Sequence, residues 1–188
     1  MRSDRFFALS ILVLLTVVLG AAEARQPPAA DPLLSLIPKD GEIKGFVRDG
    51  KPVLCYDEES LSEYIDGAAP FYLERGTVAV LFQYYRGQTS DEELKIELYR
   101  VKDPLAARHL FEEIERGRPA SDDPSLKGLG EGRHLEQALQ GVYLLEFYAG
   151  AFFIRMEAKG RGSQAEETLL RCGSFLSASI KEIAGKAR

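Results

Sequence analysis

The chain has 188 residues, 45% of them hydrophobic and 28% charged, a globular balance that excludes disordered and collagen-like classes. Its 24 Lys and Arg against 29 Asp and Glu leave a net charge of -5, which argues against a nucleic-acid partner, because such a surface needs basic groups to displace counterions. Two cysteines and two histidines exclude a Cys-rich zinc module or a disulfide-dense scaffold, and no motif calls for a metal or a cofactor.

The amino terminus reads as an address. Arg2 and Arg5 precede an uncharged apolar run from Phe6 to Leu19, and Ala22-Glu23-Ala24 offers small residues where a signal peptidase cuts. That run is shorter than the roughly 20 residues a membrane-crossing helix needs. The sequence therefore predicts a signal peptide over 1–24, a flexible leader over 25–35 containing Pro27, Pro28 and Pro32, and a single domain over 36–188. The product is expected to be periplasmic or extracellular, with no membrane span in the mature chain. An uncleaved anchor is the alternative.

Ile43–Val47 and Val53–Tyr56 read as short strands separated by the turn pair Asp49-Gly50. Ser60-Leu61-Ser62-Glu63 matches a capping box, and Leu61, Tyr64, Ile65, Ala68, Ala69, Tyr72 and Leu73 recur at helical spacing until Gly76. Val78, Val80, Phe82 and Tyr84 then share one face of a strand. In the next strand Leu94, Ile96 and Leu98 face one way and Lys95, Glu97 and Tyr99 the other. Asp103-Pro104 caps and starts a helix with the stripe Ala107, Leu110, Phe111 and Ile114.

Arg118–Gly132 reads as a long loop. Strand patterning returns at Val142–Tyr148 and, after Ala149-Gly150, in Phe152, Ile154 and Met156. Ser163-Gln164-Ala165-Glu166 is a second capping box, and the last helix turns Leu169, Cys172, Gly173, Leu176, Ile180 and Ile183 inward. Strand, strand, helix thus occurs twice, over 77–116 and 142–184. Hairpins are antiparallel by construction, so the expected class is α+β: an antiparallel sheet built from two strand-strand-helix units, with helices packed mainly on one face.

Asp66-Gly67 is out of place inside a helical pattern, and Pro70 adds a break. One reading is two short helices, with Asp66 capping the second. The other is a ligand site in which Tyr64, Asp66, Gly67 and Tyr72 present a carboxylate and two aromatic rings to a small polar or cationic molecule. The 142–156 hairpin is aromatic on both faces, with Tyr143, Phe147 and Phe153 on one parity and Tyr148 and Phe152 on the other. This suits a strand buried on both sides, or a groove for a partner. Cys55 and Cys172 would meet an oxidising compartment, as a disulfide or as two separately buried thiols. Gly128-Leu129-Gly130-Glu131-Gly132 lacks the strand and the Lys-Ser/Thr pair of a phosphate loop, and His109 and His134 have no metal-site spacing.

The run Leu61-Ser62-Glu63-Tyr64-Ile65-Asp66-Gly67-Ala68-Ala69-Pro70-Phe71-Tyr72-Leu73 resembles the signature of an uncharacterised family of exported bacterial proteins, which carry a Tyr-Ile-Asn/Asp-Gly-Ala-Ala core followed by an acidic residue and Tyr-Leu. Glu97-Leu98-Tyr99, Asp103-Pro104 and Ala107 are similar to that family's strand and following helix start. Pro70 departs from its acidic residue. The resemblance implies an exported α+β domain and brings no activity with it. The expected function is a non-enzymatic exported module that binds a small molecule or an envelope partner. The rival is an exported hydrolase with a carboxylate-based site around Asp66, Glu97 or a histidine, and a structural accessory protein is the third reading.

Overall fold

The computed structural model describes residues 31–118, 123–161 and 163–186; the expected signal peptide and residues 25–30 of the leader lie outside them. Alternating apolar residues build six strands: β1 (Phe46–Cys55), β2 (Thr77–Gly87), β3 (Glu93–Val101), β4 (Gly132–Leu139), β5 (Val142–Ala149) and β6 (Phe152–Lys159). They form one antiparallel sheet in the order β1-β2-β3-β6-β5-β4. Five helices accompany it among the described residues: α1 (Pro32–Leu36), α2 (Glu58–Ile65), α3 (Ala69–Glu74), α4 (Pro104–Ile114) and α5 (Gln164–Lys186). The α+β class, the antiparallel sheet and the two strand-strand-helix units, β2-β3-α4 and β5-β6-α5, are as expected.

The helices occupy both faces of the sheet instead of mainly one. Leu81, Leu98, Phe147, Ile154 and Met156 enter a core with Leu33 and Leu36 of α1 and Leu169, Cys172, Leu176 and Ile180 of α5. Their neighbours of opposite parity, Val80, Phe82, Tyr99, Tyr148 and Phe153, enter a second core with Leu61, Tyr72, Leu110 and Phe111 of α2, α3 and α4. A strand with apolar residues at both parities has to be covered on both sides. The helix positions also bear on the repeated strand-strand-helix order. A rotation about the sheet normal that carries β1-β2-β3 onto β4-β5-β6 keeps the following helix on its face, yet α4 and α5 lie on opposite faces.

Several boundaries shift for local reasons. The domain starts inside the expected leader, because Asp31 caps α1 through its contact with the Leu33 N–H and Leu33 is fully buried. Phe46–Val47 of the first expected strand and Val53–Cys55 of the second belong to one edge strand, β1, while residues 43–45 lie in the turn before it. Its register slips between Asp49, opposite Tyr84, and Val53, opposite Phe82, which makes a bulge around Gly50. The first capping residue is Asp57, not Ser60: its carboxylate accepts from the Ser60 N–H at 2.9 Å, and α2 begins three residues early. Gly132–Leu139, at the end of the expected loop and beyond it, is the edge strand β4, whose outer residues carry too few apolar side chains to read as a strand.

Candidate functional site

The break at Asp66-Gly67 does divide the helical pattern in two, but Asp66 ends the first helix instead of capping the second. It takes a left-handed conformation (φ 38°, ψ 75°) at the carboxyl end of α2, followed by Gly67 at φ 67°. Ala68 precedes α3 without a side-chain cap, and Pro70 sits in its first turn, where the missing N–H costs nothing. The turn bends the chain so that Tyr64 and Tyr72 come down on the same face of the sheet. Tyr64 stacks on Phe82 at 5.0 Å between ring centres and Tyr72 on Tyr99 at 4.4 Å.

Strand register then decides what lies beneath them. On this face the side chains form rows across all six strands. Cys55, Val80, Tyr99, Phe153, Tyr148 and Gly132 make an apolar row. The next row is Val53, Phe82, Glu97, Arg155, Glu146 and His134, so a carboxylate, a guanidinium, a carboxylate and an imidazole stand side by side. Beyond it come Asp49, Tyr84, Lys95, Glu157, Leu144 and Glu136. The charged row marks the limit of helical cover.

At this limit Tyr64, Ile65, Ala68, Tyr72, Lys95, Glu97, Tyr99 and Arg155 line a cleft of about 220 Å³. Glu97 is only 6% exposed. One of its oxygens meets Lys95 Nζ at 2.7 Å, and the other accepts from the Tyr99 hydroxyl at 2.6 Å. Burial and the adjacent Glu97 push the Tyr99 phenol far above its ordinary value, and burial raises that of Tyr72. Burial opposes the Arg155 charge, but Glu146 and Glu97 outweigh it and hold the guanidinium ionised.

The charges continue away from the cleft. Fully buried Glu146 accepts from Arg118 and lies 3.3 Å from Arg155. Arg118 also meets Glu115 at 2.9 Å, and Glu115 meets His134 Nδ1 at 2.8 Å. Burial raises the Glu115 carboxyl, with His134 and Arg118 opposing. This alternation of sign makes a buried charged row tolerable. A wider depression of about 390 Å³ adjoins the cleft at Lys95, but Tyr84, Arg86, Glu93, Glu157 and Lys159 in its lining are exposed. The smaller cleft holds the buried, pre-positioned polar groups and is the better candidate.

Of the residues singled out from sequence, Tyr64 and Tyr72 line the cleft. Asp66 and Gly67 are exposed and outside its lining, so the carboxylate there is Glu97. Lys95, Tyr99 and Arg155 were missed as site residues. The available signal was the polar parity Lys95, Glu97, Tyr99, which becomes informative once both sheet faces are known to be covered. Cys55 and Cys172 are free thiols in the two different cores, with the sheet between them, so they do not pair. In the aromatic hairpin the two-residue turn shifts the parity: Tyr143, Phe147 and Phe152 face α5, whereas Tyr148 and Phe153 face α4. The aromatic residues of the hairpin thus pack into the cores on both sides of the sheet. Leu129 of the glycine-rich run is buried, and the Gly130 N–H donates to Ser177 of α5, a packed connection and not a phosphate cradle. Among the described residues no three His, Cys, Asp or Glu are grouped to hold a metal ion, and no helix is long and apolar enough to cross a membrane.

No family model and no curated protein matches the chain. Among solved structures, the fold is similar to that of the extracellular domain of PknH from Mycobacterium tuberculosis, with a TM-score of 0.53 at 12% identity over 84% of this chain and 98% of that one. At that identity the likeness is one of fold.

Proposed function

We propose that this is an exported, non-enzymatic module that binds a small polar molecule in the cleft beneath Tyr64 and Tyr72. The observation that carries the reading is the cleft itself, where two stacked tyrosines and a pre-positioned Lys95–Glu97–Arg155 group meet at the edge of helical cover. Ligand sites combine apolar walls with a few fixed polar groups in this way. Both Glu97 oxygens are engaged by Lys95 and Tyr99, which suits a positioning group better than a general base and speaks against the hydrolase reading. Export rests on Arg2, Arg5, the apolar run to Leu19 and Ala22-Glu23-Ala24, and the fold's likeness to an extracellular domain is compatible with it. The Tyr64-Ile65-Asp66-Gly67-Ala68-Ala69 core, which resembles the exported bacterial family, supports the same reading.

Soaking crystals with a mixed set of neutral, cationic and anionic fragments tests the binding site. Fragments should collect between Tyr64 and Arg155, and a Tyr64→Ala, Tyr72→Phe variant should remain folded and lose them. Fragments found only elsewhere would exclude the cleft. Amino-terminal sequencing of the protein expressed from its own start tests export. Chain beginning near Arg25 outside the cytoplasm supports the reading, and chain retaining Met1 in the cytoplasm contradicts it.

A further inference from the structure

Resting on the binding reading of the cleft, we infer that its ligand is a small organic anion with one carboxylate, anchored by Arg155. The sign follows from which groups are already engaged. Glu97 has one oxygen on Lys95 and the other on Tyr99, so it has little left to offer a cation. Arg155 is the opposite case. Its closest carboxylate oxygen, Glu146 Oε1, is 3.3 Å away and has no hydrogen-bond partner, so the contact is one of charge without an aligned donor. Among the described residues the guanidinium makes no hydrogen bond, although it carries five N–H donors in a planar fork. It is one-third exposed, and it opens into the cleft.

A carboxylate matches that fork with two parallel hydrogen bonds. Tyr64, Ile65 and Ala68 supply the wall for an apolar or aromatic body. The cleft volume, roughly that of seven waters of liquid, accommodates a body of about a ring's size. Glu97 and Glu146 flank Arg155 in its row and would repel a second negative charge, so the ligand is a monoanion.

Benzoate, with benzamide and benzylamine as its neutral and cationic counterparts, provides the probe. Each is titrated at millimolar concentration into 15N-labelled protein. Benzoate should shift the amide signals of 64–72, 95–99 and 155, with benzamide about tenfold weaker or worse and benzylamine absent from the cleft. Arg155→Gln should weaken benzoate about tenfold, and Arg155→Lys, which keeps a charge beside Glu146 but lacks the fork, should also weaken it. If Arg155→Gln does not fold, Glu146→Gln with Arg155→Gln removes both charges and should show the same loss. Benzamide or benzylamine binding in the cleft as tightly as benzoate would overturn the anionic assignment and leave the binding reading standing. Unchanged benzoate affinity without Arg155 would overturn the anchor. Silence of the cleft toward all three probes would overturn both readings.

Discussion

Asp66 shows how one residue can look like chemistry and act as geometry. Its left-handed backbone ends α2 and lets α3 start at a new angle, which is what brings Tyr72 over Tyr99. Asp and Asn tolerate that conformation, whereas a β-branched residue does not. Asp66→Asn should therefore leave both stability and cleft binding near wild type. Asp66→Val should cost about 1 kcal/mol of unfolding free energy in a denaturant titration. If Asp66→Asn abolished binding while the protein stayed folded, the carboxylate itself would belong to the site. Glu97 is the reverse case. In sequence it is one charged residue in an alternating strand, and in the fold it is the buried acceptor that fixes Lys95 and Tyr99.

Among the elements, α3 and α4 are held to each other by a charged clamp. Arg75 places Nε and Nη2 each 2.7 Å from the two oxygens of Glu113, and its guanidinium lies 3.9 Å over the Phe71 ring. The hydrogen bonds from Arg75 hold the Glu113 carboxyl below its ordinary value of 4.5. A lowered folded value means that the stabilisation is present above the unfolded value and is lost as pH falls through the folded one. Wild type should thus melt higher than Glu113→Gln at pH 7, and the gap should close as pH drops below 4.5. A gap that persisted in acid would mean that the clamp acts by packing alone. Because α3 roofs the cleft, loosening the clamp should also weaken any ligand held under Tyr72.

At the scale of the whole molecule, the sheet acts as a partition. It separates two cores, and each contains one cysteine. Burial raises both thiols above their ordinary value, which suppresses the reactive thiolate. The folded protein should react with no equivalents of a thiol reagent and the unfolded protein with two, and dithiothreitol should leave the melting temperature unchanged. A melting temperature lowered by reductant would mean that a bridge forms after all. The partition also sorts the chemistry. On the α5 face Arg48, Gln83, Arg100 and Arg133 stand scattered among apolar residues, whereas on the opposite face Glu97, Arg155, Glu146 and His134 fill one row side by side.

Sequence alone determined the elements whose signals are local. Alternation marked β2, β3, β5 and β6, Asp103-Pro104 marked the start of α4, and the Tyr64–Leu73 spacing marked two tyrosines that do line the cleft. It also supplied the class, because two hairpins each followed by a helix leave few other arrangements. Tertiary structure decided the rest, for reasons that no local window contains. Whether Lys95, Glu97 and Tyr99 face water or a roof depends on which side α3 and α4 pack, and that follows from the sum of apolar residues at both parities over four strands. Arg155 joins Glu97 only because β3 pairs with β6, two strands brought together from far apart in the chain, in one particular register. A charged row across a sheet is a property of register, and register is set by the whole fold at once.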